Sequence, residues 1–549
     1  MKRFLFLFVA VVFAVSSAFS QINNSDVNQL GDDNEATVMQ IGNINHSDID
    51  QDGEMNFADV YQLGDDNRSY IMQLGDFNSA TVLQEGILNV SYINQIGDEH
   101  IAYVDQLGLH NVSSIWQNGW LNSASVMQQG RFNMSYITQF DFANSADVWQ
   151  FGLANLSTIY QVFHNNYASV MQMGRFNNSN VWQMGALSSA FVDQMGRRNF
   201  ASVNQHLSIY ATADIIQMGR MNRASTYQRR GVGNLAYVDQ WGLRNMARTT
   251  QLFGEYNTAM ISQQGRFNHA NVMQRGGYAN MAFIHQYGML NRASTLQMGG
   301  SFNDASIYQS GWANAARTLQ LGGSGNMSTT DQIGMHNWAF VEQIDEVDGT
   351  VSVMQDGLAN FADVTQKYGE GDEATVMQYG TVQRAYISQV AGLGNEATIE
   401  QAYYGNLAVI DQIGGEENTA NINQDGEYNF AFVGQFGGSY SSASVEQVGD
   451  WNRGWVFQFG QEESLADILQ EGDSNIAVIG QMYGERNEAY IEQEGDNNVA
   501  LTYQYGDDNY SFLEQIGQDH YGLVIQNGND NSAKTQQGDT GTVFEVIAP

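Results

Sequence analysis

Small and apolar residues alternate with polar ones in short bursts, and the bursts return at every eleventh position. One copy runs Asn34, Ala36, Val38, Gln40, Gly42. Another runs Asn122, Ala124, Val126, Gln128, Gly130, and a third Asn268, Ala270, Val272, Gln274. A period of two predicts a strand, with Asn, small residue, branched aliphatic and Gln on one face. Gly two or three places after Gln, often followed by Asp, predicts the turn.

Gln marks the register. It stands at Gln29, Gln40, Gln51, Gln62 and Gln73 and continues at every eleventh position to Gln205. From there the spacing alternates between twelve and eleven to Gln493, then returns to eleven through Gln526 and Gln537. All 46 register positions are Gln. The extra residue of a twelve-residue unit falls in the turn, as in Gln251-Leu252-Phe253-Gly254, so the strand keeps its facing.

A longer period lies on the shorter one. The small residue alternates Ala36, Ser47, Ala58, Ser69, Ala80, Ser91, so like chemistry recurs at 22 or 23 residues. This favours an all-β fold: a long two-sheet parallel β-solenoid of stacked strand-turn-strand arches, each strand lying on the next but one. An antiparallel meander, pairing Ala strands with Ser strands, is the competing layout. Two strands per turn give 23 rungs, and at about 4.8 Å per rung a rod of roughly 110 Å.

The core of such a solenoid ends in amides, and a lone buried amide is costly. Stacked in register, each can donate to one neighbour and accept from the other. The expected ladder residues are Gln29, Asn34, Gln40, Asn45, Gln51, Asn56, Gln62, Asn67, Gln73, Asn122, Gln128, Asn268, Gln274, Gln526, Asn531 and Gln537. Outward positions vary freely (Met39, Asp50, Tyr61, Met72, Trp116, Trp149, Trp182) and read as an exposed sheet face or a lateral contact surface between fibres.

Composition narrows the function. The chain has 549 residues, no Cys and one Pro, with 59 acids against 22 bases. The absence of Cys excludes a disulfide scaffold and thiolate metal sites. None of the three Lys (Lys2, Lys367, Lys534) follows a phosphate-loop pattern. Residues 1–20 have a basic start, an apolar run and a small-residue end, and read as a secretory signal peptide cut before Gln21. The repeat then occupies 21–538, and 539–549 is a non-repeat tail, a candidate cap.

Charge comes in blocks. Residues 21–130 hold 16 acids and one base, 131–317 hold 14 Arg and 7 acids, and 318–549 hold 36 acids and 5 bases. Charges flanking aggregation-prone strands restrain premature assembly. The blocks also suit side-by-side bundling. The Arg-rich segment 131–317 suits an anionic polysaccharide or extracellular DNA.

No catalytic constellation, cofactor motif or metal spacing emerges. The nine His fall at unrelated repeat positions and read as surface residues, and the acid pairs Asp32-Asp33, Asp65-Asp66 and Asp507-Asp508 as solvated turns. A polysaccharide-cleaving β-helix needs a cleft, and these turns are short and uniform. An ice-binding solenoid needs a regular outward row, which is missing.

The Q-x-G-x-x-N-x-A/S spacing and the two-strand unit resemble the curlin repeats of bacterial curli, over about Gln21 to Gly538. The resemblance implies a secreted subunit that polymerises with itself, head to tail and laterally, into amyloid fibres of the biofilm matrix that mediate adhesion. It implies outer-membrane export machinery as a partner and leaves a place for a nucleator subunit. Two departures stand out. This chain has far more units than a typical curlin, and its first register, Asn23-Ser25-Val27-Gln29, begins almost at once after the leader, without the usual export segment. A monomeric cell-surface rod or adhesin has the same fold, and the ends decide between the two. The tail Thr542–Pro549 would be a covering strand, a partner-binding strand or a secretion element.

Overall fold

The computed structural model describes residues 23–538 and 543–548. The expected signal peptide, Met1–Ser20, lies outside the described residues. Among those described there are 47 strands and no helix. The chain divides into two compact units: residues up to 233 with 239–243, and residues 234–238 with everything from 244.

In the first unit, successive strands alternate between two parallel sheets. Asn24–Leu30 lies on His46–Asp52, which lies on Arg68–Leu74. Between them in sequence, Glu35–Asn43 lies on Phe57–Asp65, which lies on Ser79–Ile87, in the other sheet. Partners are 22 residues apart, as in Gln40 opposite Gln62. From Gln194 opposite Gln217 the spacing is 23, as for Gln263 opposite Gln286 in the second unit, and it returns to 22 at Gln493 opposite Gln515. Each unit is a two-sheet parallel β-solenoid, and the meander is excluded.

The period-two pattern becomes burial. In Phe57–Asp65, Ala58, Val60 and Gln62 are fully buried. The core between the sheets is a stack of columns: Ala or Ser, then Val or Ile, flanked by Gln and Asn. Only small and branched residues fit a gap of about 10 Å between sheets.

The inserted residue of the twelve-residue units does fall in the turn, where it adds a short ladder of its own, such as Tyr278 opposite Ser301. The eleven-residue turns use two left-handed residues. Gly174 has φ +120°, and a Cβ there would collide with the carbonyl oxygen of Gly196 in the next rung. Two residues later stands a non-glycine residue in the left-handed region, as at Phe176 with φ 59°. Its backbone is held by stacking: Phe176 N–H donates to Leu153 O at 2.9 Å.

Candidate assembly site: amide ladders and end rungs

Register Gln residues inside the stack use both amide hydrogens. One runs along the stack: Gln40 Nε2 donates to Gln62 Oε1 at 2.8 Å, and Gln62 to Gln84 at 2.8 Å. The other row runs Gln29 to Gln51 at 2.6 Å and Gln51 to Gln73 at 2.7 Å. Gln128 receives from Gln106 and donates to Gln150, both at 2.8 Å. Gln274 donates to Gln297 at 2.8 Å, and Gln526 and Gln537 receive from Gln504 and Gln515.

The second hydrogen crosses between the sheets. Gln62 Nε2 donates to the His46 carbonyl at 3.0 Å and Gln73 Nε2 to the Phe57 carbonyl at 3.0 Å. Glu has no donor for either bond, Leu has neither donor nor acceptor, and Asn is shorter by a methylene. This double duty is the physical reason for Gln at every register position, and stacking alone accounts for only half of it.

The Asn residues work differently from a pure side-chain ladder. Asn45 Oδ1 accepts the backbone N–H of Asn67 at 3.0 Å, and Asn45 Nδ2 donates to Gly64 O at 2.7 Å. Asn34 and Asn56 follow the same scheme through Gly53 O and Gly75 O, and Asn67 through Gly86 O. Asn122 donates to Asp141 O and Asn268 to Gly288 O, while the Asn531 backbone N–H donates to Asn509 Oδ1 at 3.2 Å. Asn therefore staples one turn's backbone to the next, with amide-to-amide contacts as an addition, as from Asn67 Nδ2 to Asn45 Oδ1 at 3.2 Å.

Two histidines are not surface residues. His100 and His520 occupy the Asn position and are buried. His100 Nδ1 accepts the Asn122 N–H at 3.3 Å, and Nε2 lies 3.1 Å from Ile96 O, so the bonding assigns the neutral Nε2–H tautomer. Burial holds its pKa below the ordinary value. The signal was available: His100 falls on the Asn register, between Asn89 and Asn111. The turn acids are tied as well as solvated: Asp65 Oδ1 accepts Asn43 N–H, and Asp508 holds Arg486 through both oxygens, at 2.7 and 2.9 Å.

One pair of rungs breaks the rule and compensates. Gly349 stands where Asn belongs, and Glu346 stands where neighbouring twelve-residue turns carry Gly323, Gly369 and Gly392. The Glu346 carboxyl fills the space, its Oε2 accepting Gly369 N–H at 2.8 Å. One rung on, Asp372 replaces Asn, its Oδ1 accepting Asn395 N–H at 2.9 Å. Glu346 Oε1 and Asp372 Oδ2 have no hydrogen-bond partner, and both lie less than 3.0 Å from where a Cβ of residue 369 would stand. Burial pushes Glu346 up to about 7 and Asp372 up to about 6, with Asp372 adding to the rise of Glu346.

The ends differ from the interior. In the first rung Val27 is 47 % exposed, whereas its stacked partner Ile49 is fully buried. Among the described residues nothing covers Asn24–Leu30, an open parallel edge. In the second unit, Val543–Ala548 pairs in parallel with Tyr521–Asn527, setting Val546 on Val524 and Ala548 on Gln526. It covers one sheet and ends that Gln column, while Ser532–Gln537 remains the last strand of the other sheet among the described residues.

Stacked arches joined by in-register amide columns define a class: the repeat β-solenoid whose rungs are chemically equivalent. Within it, the curlin associated repeat model matches residues 23–53, 54–86, 75–108, 369–402, 415–449, 462–495 and 484–517. Over those residues the chain carries curlin repeats. The stretch 109–368 between the matches keeps the same Gln columns and parallel pairing. A search of the curated proteins finds no match.

Proposed function

We propose that the mature chain is a secreted structural subunit of extracellular curli-like amyloid fibres, in a biofilm matrix or at an adhesive cell surface. It grows by edge-to-edge addition of rungs and has no catalytic role. The observation that carries this reading is the equivalence of the rungs. Each rung presents the same Gln donors and acceptors that it receives, and most present the same Asn, so the open rung at Asn24–Leu30 offers what an incoming rung needs. Outer-membrane export machinery is the partner that this role calls for, and it leaves a place for a nucleator subunit.

The test is seeded growth of the chain lacking Met1–Ser20, followed by thioflavin fluorescence and fibre diffraction. Elongation accelerated by seeds, with reflections near ~4.7 and ~10 Å, supports the subunit. A β-rich species that stays monomeric at high concentration refutes it.

A second reading has an observation of its own. Val543–Ala548 sets Ala548, which carries no amide, where the next Gln would stand. That favours a capped, non-polymerising surface rod or adhesin that meets anionic polymers through 131–317. Deleting 542–549 separates the two: gain of polymerisation on deletion identifies a cap.

A further inference from the structure

Parallel in-register stacking turns one repeat position into a column. The position three residues after Gln in the second sheet carries Arg131, Leu153, Arg175, Arg197 and Arg220 on five consecutive rungs of the first unit. All four Arg are exposed. Arg175, Arg197 and Arg220 stand on adjacent rungs about 4.8 Å apart. Like charges directly opposite one another in a sheet repel. No ion pair to any of these four occurs among the described residues. Arg198 enlarges the basic corner, lying over the Phe176 ring at 5.9 Å.

In the second unit the same repeat position carries Glu427, Asp450, Asp473 and Asp496 on four consecutive rungs. Here the column is pre-organised. Asp450 Oδ1 accepts Glu427 N–H at 2.8 Å, Asp473 accepts from Asp450 at 2.8 Å, and Asp496 from Asp473 at 3.1 Å. Two places nearer each Gln, Asp425, Glu471 and Glu494 add exposed acid to the same corner. Each column is an uncompensated row of like charge, the two signs are opposite, and their pitch is the same rung spacing.

We propose that the occupant of the basic corner is the acidic corner of a second copy of this chain. The two columns pair rung against rung and join solenoids side by side. Matched pitch favours this occupant over a polyanion, because the three adjacent rungs of Arg175, Arg197 and Arg220 and the four of Glu427, Asp450, Asp473 and Asp496 each contribute one charge at the rung spacing. A single exposed pair contributes little, but a network of three or four in register is cooperative and salt-sensitive. This lateral contact does not depend on edge-to-edge growth, and the two fail separately.

The test uses the full mature chain in two charge-reversed forms. One is Arg175→Glu with Arg197→Glu and Arg220→Glu. The other is Glu427→Lys with Glu471→Lys and Glu494→Lys, which spares the carboxylates that cap backbone N–H groups. Circular dichroism and the thermal midpoint report folding, seeded fluorescence reports end growth, and small-angle scattering with electron microscopy reports lateral thickness. Each variant alone is expected to lose side-by-side association at low salt, with at least a ~10-fold rise in the concentration needed. The two variants mixed are expected to recover it, and about 0.5 M NaCl is expected to disperse the wild type. Unchanged thickness in either variant, or a mixture that stays dispersed, overturns the proposal. So does an Arg variant that still bundles but no longer binds heparin or DNA, since that assigns the basic corner to a polyanion.

Discussion

Asp372→Asn is expected to stabilise the chain in alkali and leave it unchanged in acid. In the folded chain Glu346 titrates at about 7 and Asp372 at about 6, both raised mainly by burial. In the unfolded chain both ionise near pH 4. Below about pH 4 both are protonated in either state, and the native pair carries no penalty. As pH rises through the interval to about 7, the unfolded chain releases its protons first and stability falls. For Glu346 the displacement corresponds to about 3 kcal/mol at pH 8, and for the coupled pair to on the order of 3–6 kcal/mol. The geometry explains the sign. Asp372 Oδ2 occupies the slot where other rungs put an amide donor, such as Asn395 Nδ2 on Gly414 O at 3.3 Å. Only a proton makes a carboxyl a donor there. Asn restores the amide, so a gain of about 2–3 kcal/mol is expected at pH 8 and less than about 0.5 at pH 4. Hydrogen exchange of the Gly369 and Asp372 amides, corrected for intrinsic rates, reads the effect locally. Protection of the wild type that is flat from pH 4 to 8, or an Asn variant equally pH-sensitive, refutes the reasoning.

Four further outcomes follow from the columns. Gln150→Leu removes bonds from Gln128 (2.8 Å), to Gln172 (2.8 Å) and to the Met134 carbonyl (2.9 Å), and should cost on the order of 3–5 kcal/mol in denaturant unfolding after the gain from burying Leu. Gly174→Ala, at φ +120° with backbone in the way of its Cβ, should cost more than about 3 kcal/mol and open the flanking rungs to exchange. Ser113→Ala should stabilise by about 1 kcal/mol, since its buried hydroxyl has no partner and the same column carries Ala at Ala201 and Ala224. His100 is neutral with a lowered pKa, so its contribution is present above the unfolded value of 6.5 and is lost as pH falls below it. His100→Asn should remove that acid sensitivity, read as the pH midpoint of loss of exchange protection at Asn122, and an unshifted midpoint would count against the assignment.

The strands, the parallel pairing of each strand with the next but one and the inward Gln were legible because a single period fixes side-chain facing and register together. The cross-sheet bond of Gln was hidden, since it joins residues 16 or 17 apart whose proximity depends on how the arch closes. Asn was read as a side-chain ladder because its true partner, a turn carbonyl, has no sequence signature. His100 and His520 were read by residue type instead of by register position, which placed them outside. The replacement of Gly by Glu346 and of Asn by Gly349 needs two departures read as one compensation, and either alone looks like a defect. The left-handed non-glycine turn residue, from Met55 to Asp530, leaves no compositional mark because stacking on the neighbouring rung holds it.

Self-templating at the end rung is the central claim, and Val27→Pro tests it most directly. Asn24 N–H and Leu30 C=O both bond to the neighbouring rung, so alternation aims the Val27 N–H outward from the stack. Proline there removes a donor from the growing edge and none from the fold. Every head-to-tail junction uses this edge of one chain, so the account predicts that the variant chain fails to elongate its own seeds while its circular dichroism stays that of the wild type. Elongation at the wild-type rate would contradict it.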